Sequence, residues 1–351
     1  MLDANVRKRY EAFWACEAHG RCCLFLTVPR YTEAPPEPTD PAARWEDIDG
    51  RLGWEEFVLD STEYLADAFR TVFVNFGPGC LTACIGGTQK WALNTVWFEN
   101  DPVIADWEHP PVPALNRESL MYRLVERFTE TSLQRGAGRF YTSITDIGGT
   151  YDIIAAMRGT ENLLTDLYDY PGEVKAFADA IYPIWRDYFL AQSARLIARQ
   201  GAMTSWMPIY SEKAYFPLQC DFSAMLSPRM FEEFVLPDLE RQTRMMDRSI
   251  YHLDGPGEIP HLDMLLSMER LSAIQWVPGA GAADTTDPCW YELYARIQRA
   301  GKGLILLEAD PDGIESLLRH VSAKGLFIRT DTQDMKQARE IAALADALGR
   351  S

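Results

Sequence analysis

Eight short apolar runs, each closed by turn chemistry and separated by amphipathic stretches, constrain this chain more than any other feature. They are Cys22–Val28, Thr71–Phe76, Arg139–Ile144, Ala202–Trp206, Ser249–Leu253, Ala273–Val277, Gly303–Leu307 and Gly325–Arg329. Several are continuously apolar instead of alternating, as strands covered on both faces are. Between them lie helical patterns at Glu118–Leu133, Pro171–Arg199 and Asp334–Leu348. Ser227-Pro228, Asp287-Pro288 and Asp310-Pro311 each read as an N-cap followed by Pro at the first helical position. Pro237 must kink or interrupt the helix that Ser227 opens, because it lacks an amide donor. Strand–helix alternation with eight strands predicts an α/β chain of the (β/α)8 TIM barrel type. Such a barrel takes about 250 residues. The 351 residues therefore form a single domain, 1–351. Residues 1–70 include an N-terminal helical extension and the Pro-rich loop Thr32–Pro41, and a second irregular segment covers Glu99–Leu115. The rival doubly wound sheet is disfavoured, since no GxGxxG follows the first strand.

Charge narrows the function. Lys and Arg number 34 against 51 Asp and Glu, a balance of −17. The longest basic run is Arg7-Lys8-Arg9, too little to grip a nucleic-acid backbone. No apolar run approaches the roughly 20 residues of a membrane span, so no membrane partner is expected. Seven cysteines, an odd count with no CxxC, predict a reduced, cytoplasmic setting. Cys22 and Cys23 open an apolar run and are expected to be buried rather than reactive. GxSxG, P-loop and HExxH motifs do not occur.

In a barrel the catalytic groups gather at the C-terminal strand ends. That rule selects Arg30, Asn75, Asp146, Trp206 with Tyr210, His252 with Asp254, Gln275 with Trp276, Glu308 with Asp310, and Arg329 with Asp331. His252 and Asp254 matter most, because positions i and i+2 of a strand project to one side. Together they can ligate a divalent metal or act as acid and base. Glu308 closes the apolar run LILL, where a carboxylate is costly unless paired, coordinated or solvated. Asp310 is expected mainly to cap the following helix. Arg329 either binds an anionic group bidentately or pairs with Asp331. Trp206, Tyr210, Trp276 and Trp97 are candidates for an aromatic wall suited to a ring, a sugar or a quaternary ammonium group. His261 is expected to be structural.

These blocks resemble the uroporphyrinogen decarboxylase superfamily. The resemblance spans about 120–349. It rests on Asp146-Ile-Gly-Gly-Thr-Tyr-Asp152 leading to Arg158-Gly-Thr, on Leu226-Ser-Pro-Arg-Met-Phe231 with Leu236-Pro237, on Tyr251-His-Leu-Asp-Gly255, and on Glu308-Ala-Asp-Pro-Asp312. It implies a distorted (β/α)8 barrel. Two departures shape the functional expectation. The arginine-rich motif by which the decarboxylases hold their polycarboxylate substrate has no counterpart; only Pro29-Arg30-Tyr31 follows the first strand. In the cobalamin-dependent methyltransferase branch a histidine and cysteines bind zinc. Here His252 matches the histidine, Asp254 stands at the first cysteine, and no cysteine follows Cys289. Oxygen ligands harden such a site.

The resemblance implies a corrinoid-linked, methyltransferase-like enzyme acting on a small polar or methylated substrate at the barrel mouth. A decarboxylase or lyase on a small carboxylic acid, or a metal-assisted lyase or hydrolase, is the alternative. His252, Asp254, Asp146 and Glu308 are the expected catalytic group; His252, Asp254 and Glu308 are the expected ligands of zinc or a harder divalent ion. Arg30, Asn75, Trp206, Tyr210, Gln275, Trp276 and Arg329 are the expected substrate contacts. Methylcobalamin on a corrinoid protein is the implied partner cofactor, and a homodimer is an open option.

Overall fold

The protein is described from a computed structural model covering residues 2–30, 38–98 and 102–349. Most of the Pro-rich stretch Thr32–Pro41, and the start of Glu99–Leu115, lie outside the described residues.

Eleven strands are present among the described residues: β1 (Cys23–Pro29), β2 (Thr62–Ala66), β3 (Thr71–Val72), β4 (Lys90–Trp91), β5 (Val96–Trp97), β6 (Tyr141–Thr142), β7 (Tyr215–Leu218), β8 (Arg248–Asp254), β9 (Ala273–Val277), β10 (Gly303–Leu306) and β11 (Leu326–Asp331). Seven form one sheet in the order β2-β1-β11-β10-β9-β8-β7. All its pairs are parallel except the antiparallel β1–β2 pair. Strands β3 and β6 pair separately in parallel, and β4 and β5 form a hairpin. The fold is therefore a mixed α/β arrangement dominated by a parallel sheet with crossover helices.

No closed ladder of eight strands joins the described residues, and the local chemistry shows why. In Thr71–Phe76 only two residues pair; the Val74 amide instead donates to Ser143 Oγ at 3.0 Å. In Arg139–Ile144 the Ile144 amide reaches Thr204 O at 2.9 Å. The expected strand Ala202–Trp206 is reduced to one bridge, Met203–Ser211. Strand β7, absent from the sequence reading, contains Pro217; it lies at the sheet edge, where a missing amide donor is tolerated. The other five runs coincide with β1 and β8 to β11 to within one or two residues.

The expected helices form at Leu120–Gly136, Pro171–Gln200 and Met335–Leu348. Ser119 Oγ caps the first by accepting from the Tyr122 amide at 3.2 Å. Around Pro237 the helix widens into a π-turn, Phe231–Val235, before resuming at Leu236–Thr243. A π-turn re-routes the bonds that a proline breaks. The N-terminal extension is the helix Ala4–Trp14. Its Tyr10 and Phe13 are buried against Phe69 and Phe327. Arg9 of that helix and Arg21 both pair with Asp67, a fully buried carboxylate, tying the extension to the start of β1. Cys22 and Cys23 are buried as expected, and burial pushes the Cys22 thiol up to about 12. No described helix is long and apolar enough to cross a membrane.

Candidate active site

The parallel register sets the site. His252 of β8 lies opposite Gln275 of β9, and Asp254 opposite Val277. Gln275 is buried, and its Nε2 donates to the Trp276 carbonyl at 3.3 Å. That bond turns the amide so that Oε1 faces His252 Nδ1, with which it is hydrogen-bonded. Nδ1 therefore carries the proton, and Nε2 keeps its lone pair for a ligand or a proton. The Trp206 ring stands edge-on to the imidazole, centroids 5.1 Å apart at 87°.

A third group completes the centre. Asp221, His252 and Asp254 offer ligand atoms that all lie within 4.8 Å of one another. Asp221 opens the 3-10 turn Asp221–Met225, which follows β7 and folds over the end of β8. Three neighbours pin that turn. The Phe222 amide donates to Asp152 Oδ1 at 2.9 Å, Ser223 Oγ donates to Glu258 at 3.1 Å, and His261 Nε2 donates to the Ser223 carbonyl at 2.9 Å. His261 is fully buried and stacks on Phe231 at 4.3 Å, the structural role expected of it. Glu258 also accepts from the Asp254 amide at 3.1 Å, which holds the end of β8.

The surrounding carboxylates are strongly perturbed. Burial pushes Asp146 up to about 7, although the Gly148 amide donates to it at 2.8 Å. Burial raises Asp152 to about 8, helped by the like charge of Asp221. Burial raises the fully buried Glu258 to about 9. Burial thus raises three carboxyls around one imidazole well above the ordinary carboxylate range.

A cleft of about 530 Å³ opens beside this centre, lined in part by Trp206, Asp254, Gln275, Trp276 and Glu308. Glu308 is exposed there, with a left-handed backbone at φ 54°. It shares the cleft with Asp254 but stands outside the compact donor set, in which Asp221 takes the place the sequence assigned to Glu308. Asp310 caps its helix, accepting from the Asp312 amide at 3.1 Å. A second cleft of about 410 Å³ reaches Asp221 and Asp152 from the side of Trp97.

The other expected contacts are dispersed. Arg30 is exposed and pairs with Glu63 at 3.3 Å. Asn75 closes a local turn, accepting from the Gly77 amide at 3.0 Å. Tyr210 does not reach the mouth. It is buried against Tyr10, Phe69 and Tyr141, and its hydroxyl donates to Glu212 at 3.0 Å. Arg329 faces a separate small cleft, shared with Trp206, and pairs with Asp331 at 3.7 Å. Asp221, Asp152 and Glu258 were not singled out from sequence. Asp221 follows β7, a strand the sequence did not reveal; Asp152 lies in the helix Thr150–Arg158, and Glu258 in the 3-10 turn Pro256–His261 that follows β8.

No family model matches this sequence, and no match to a curated protein was found. Among solved structures, a methyltransferase from Methanosarcina mazei superposes with a TM-score of 0.61 at 10% sequence identity. The alignment covers 98% of this chain and 99% of that one. At this identity the likeness establishes a shared fold along nearly the whole of both chains.

Proposed function

We propose that the protein is a methyltransferase-like enzyme acting on a small molecule at the distorted barrel's mouth, with Asp221, His252 and Asp254 as its reaction centre. The observation that carries this reading is the convergence of those three donors at the C-terminal end of β8, beside a cleft of small-molecule size that Asp254 lines. The full-length likeness in fold to a methyltransferase supports the reaction class.

In methyl transfer the methyl group leaves its donor without the bonding pair and joins an acceptor's lone pair. An acceptor that starts as X–H must also lose a proton. His252 Nε2, and Asp146, whose carboxyl interacts electrostatically with that imidazole and titrates at about 7, are the candidates to take it. The donor set of one imidazole and two carboxylates suits a divalent ion of borderline or hard character. Such an ion would supply Lewis acidity that lowers the acceptor's pKa. Gln275, fixing the imidazole through Nδ1, is the orienting partner that a ligating histidine requires. A corrinoid-carrying partner enters this reading as an external methyl source meeting the mouth.

The cleft's lining includes Asp254, Asp284 and Glu308 and no Lys or Arg. A small carboxylic acid has no counter-charge there, so decarboxylation finds no support. The test is transfer of a 13C-labelled methyl group, followed by NMR, from methylated amines, sulfides and methylcobalamin to thiol acceptors. Transfer lost in His252→Ala but kept in the surface variant Arg30→Ala is expected; transfer unaffected by His252→Ala would overturn the assignment.

A further inference from the structure

We infer that Glu258 is a positioning residue for the cation centre: it bridges the two chain segments that carry Asp221 and Asp254, and so sets the distance between their carboxylates. The inference rests on the reading above, in which Asp221, His252 and Asp254 hold a divalent ion. Glu258 is fully buried, and among the described residues no Lys, Arg or His pairs with it. A buried carboxyl without a counter-charge weakens a fold. Stability therefore gives no reason for an acid at this position.

Its hydrogen bonds give one. Ser223 Oγ donates to one carboxyl oxygen at 3.1 Å, and the Asp254 amide donates to the other at 3.1 Å. Ser223 lies two residues after Asp221 in the turn Asp221–Met225, and Asp254 is itself a member of the donor set. One side chain thus ties together the segments that carry both carboxylates. The rest of its turn, Pro256–His261, reinforces the tie. His261 Nε2 donates to the Ser223 carbonyl at 2.9 Å, so this turn grips Ser223 at both side chain and backbone. Gly257 permits the close approach: a Cβ there would lie 3.2 Å from the Cβ and the carbonyl oxygen of Ala224. The turn is in turn anchored to the sheet. The Glu258 amide donates to the Gly255 carbonyl at 3.1 Å, and the Gly255 amide donates to the Val277 carbonyl of β9 at 2.8 Å.

Asp254 is placed by β8, but Asp221 is an exposed residue of a short turn. Its distance from Asp254 therefore depends on what holds that turn to the end of β8. Ligand atoms must reach one ion together, and partners outside the ligand set that fix them change metal affinity. A purely electrostatic role for Glu258 makes the opposite prediction, because an anion near the site would attract the ion through its charge alone. Two substitutions separate these roles. Glu258→Gln removes the charge but keeps the length and both bonds. Glu258→Asp keeps the acid but is one methylene shorter and cannot span both partners.

The test is titration of the full chain with Mn2+ at pH 7, followed by electron paramagnetic resonance, with the Co2+ absorption bands as a report on ligand geometry. Glu258→Gln is expected to bind Mn2+ within about threefold of the unmodified protein, and Glu258→Asp about tenfold or more weakly with shifted Co2+ bands. Ser223→Ala cuts one tie and leaves the acid in place. It is expected to weaken Mn2+ several-fold, and it carries the test if circular dichroism shows Glu258→Asp unfolded. Weak binding by Glu258→Gln with normal binding by Glu258→Asp overturns the inference in favour of charge. Unchanged affinity in both Glu258→Asp and Ser223→Ala overturns it outright. If the unmodified protein binds neither ion, the centre itself fails and the role of Glu258 with it. If it binds an ion that ignores these substitutions, only the role of Glu258 fails.

Discussion

Glu258 offers a sharp test of the buried acid cluster. It is fully buried, and burial raises its pKa from 4.5 to about 9. A group whose folded pKa is raised binds more protons in the folded state, so stability falls as pH rises above the unfolded value. At pH 7 the cost is set by the 2.5 units between 4.5 and 7, about 3 kcal/mol at 1.36 kcal/mol per unit. Glu258→Gln removes the titration and mimics the neutral acid. Its Oε1 can accept from the Asp254 amide, and its Nε2 can donate to Ser223 Oγ, which then serves as acceptor. Urea unfolding of both proteins, with a chelator present, should show no advantage for the variant near pH 4. The advantage should grow to about 3 kcal/mol by pH 7. A difference between the two proteins that stays flat from pH 4 to 7.5 would refute this account of the carboxylate.

Further outcomes follow from the same geometry. If Asp146 takes a proton, the methyl-transfer rate should rise as pH passes about 7, and Asp146→Asn should flatten that limb of the pH–rate profile. Gly148 has φ 87°, and a Cβ there would lie 2.5 Å from Gly79 Cα. Gly148→Ala should therefore destabilise by about 2 kcal/mol or more in thermal unfolding, and should separate the two loops that flank Asp146. Asp67→Asn leaves Arg9 without its carboxylate and the buried Arg21 with Asp346 as its remaining ion-pair partner, and should cost about 3 kcal/mol in urea titration.

The sequence carried much of this arrangement. Continuous apolar runs identified β8 to β11 because strands covered on both faces leave no polar positions to blur the pattern. The Ser-Pro and Asp-Pro pairs marked helix starts because N-caps and first-turn prolines act through local chemistry alone. What escaped was decided by tertiary contact. Thr71–Phe76 and Arg139–Ile144 have strand composition, yet side-chain and irregular backbone partners take up their amides beyond the two-residue β3–β6 pair. Strand β7 hid behind Pro217. In the site, His252, Asp254 and Gln275 were legible from period-2 geometry and strand ends. Asp221 and Glu258 were not, because loop folding alone carries them back over β8. Tyr210 looked like a strand-end aromatic, but the chain after Trp206 turns it toward the N-terminal helix, where Tyr10 and Trp14 claim it.

The central claim is that Asp221, His252 and Asp254 form one cation-binding centre. Crystals soaked separately in manganese and zinc salts, with diffraction recorded at each metal's absorption edge, test it most directly. The account predicts one anomalous peak per chain, ligated by those three side chains and lost in His252→Ala. A site that stays empty in both metals, or a peak held by Glu308 without Asp221, would contradict it.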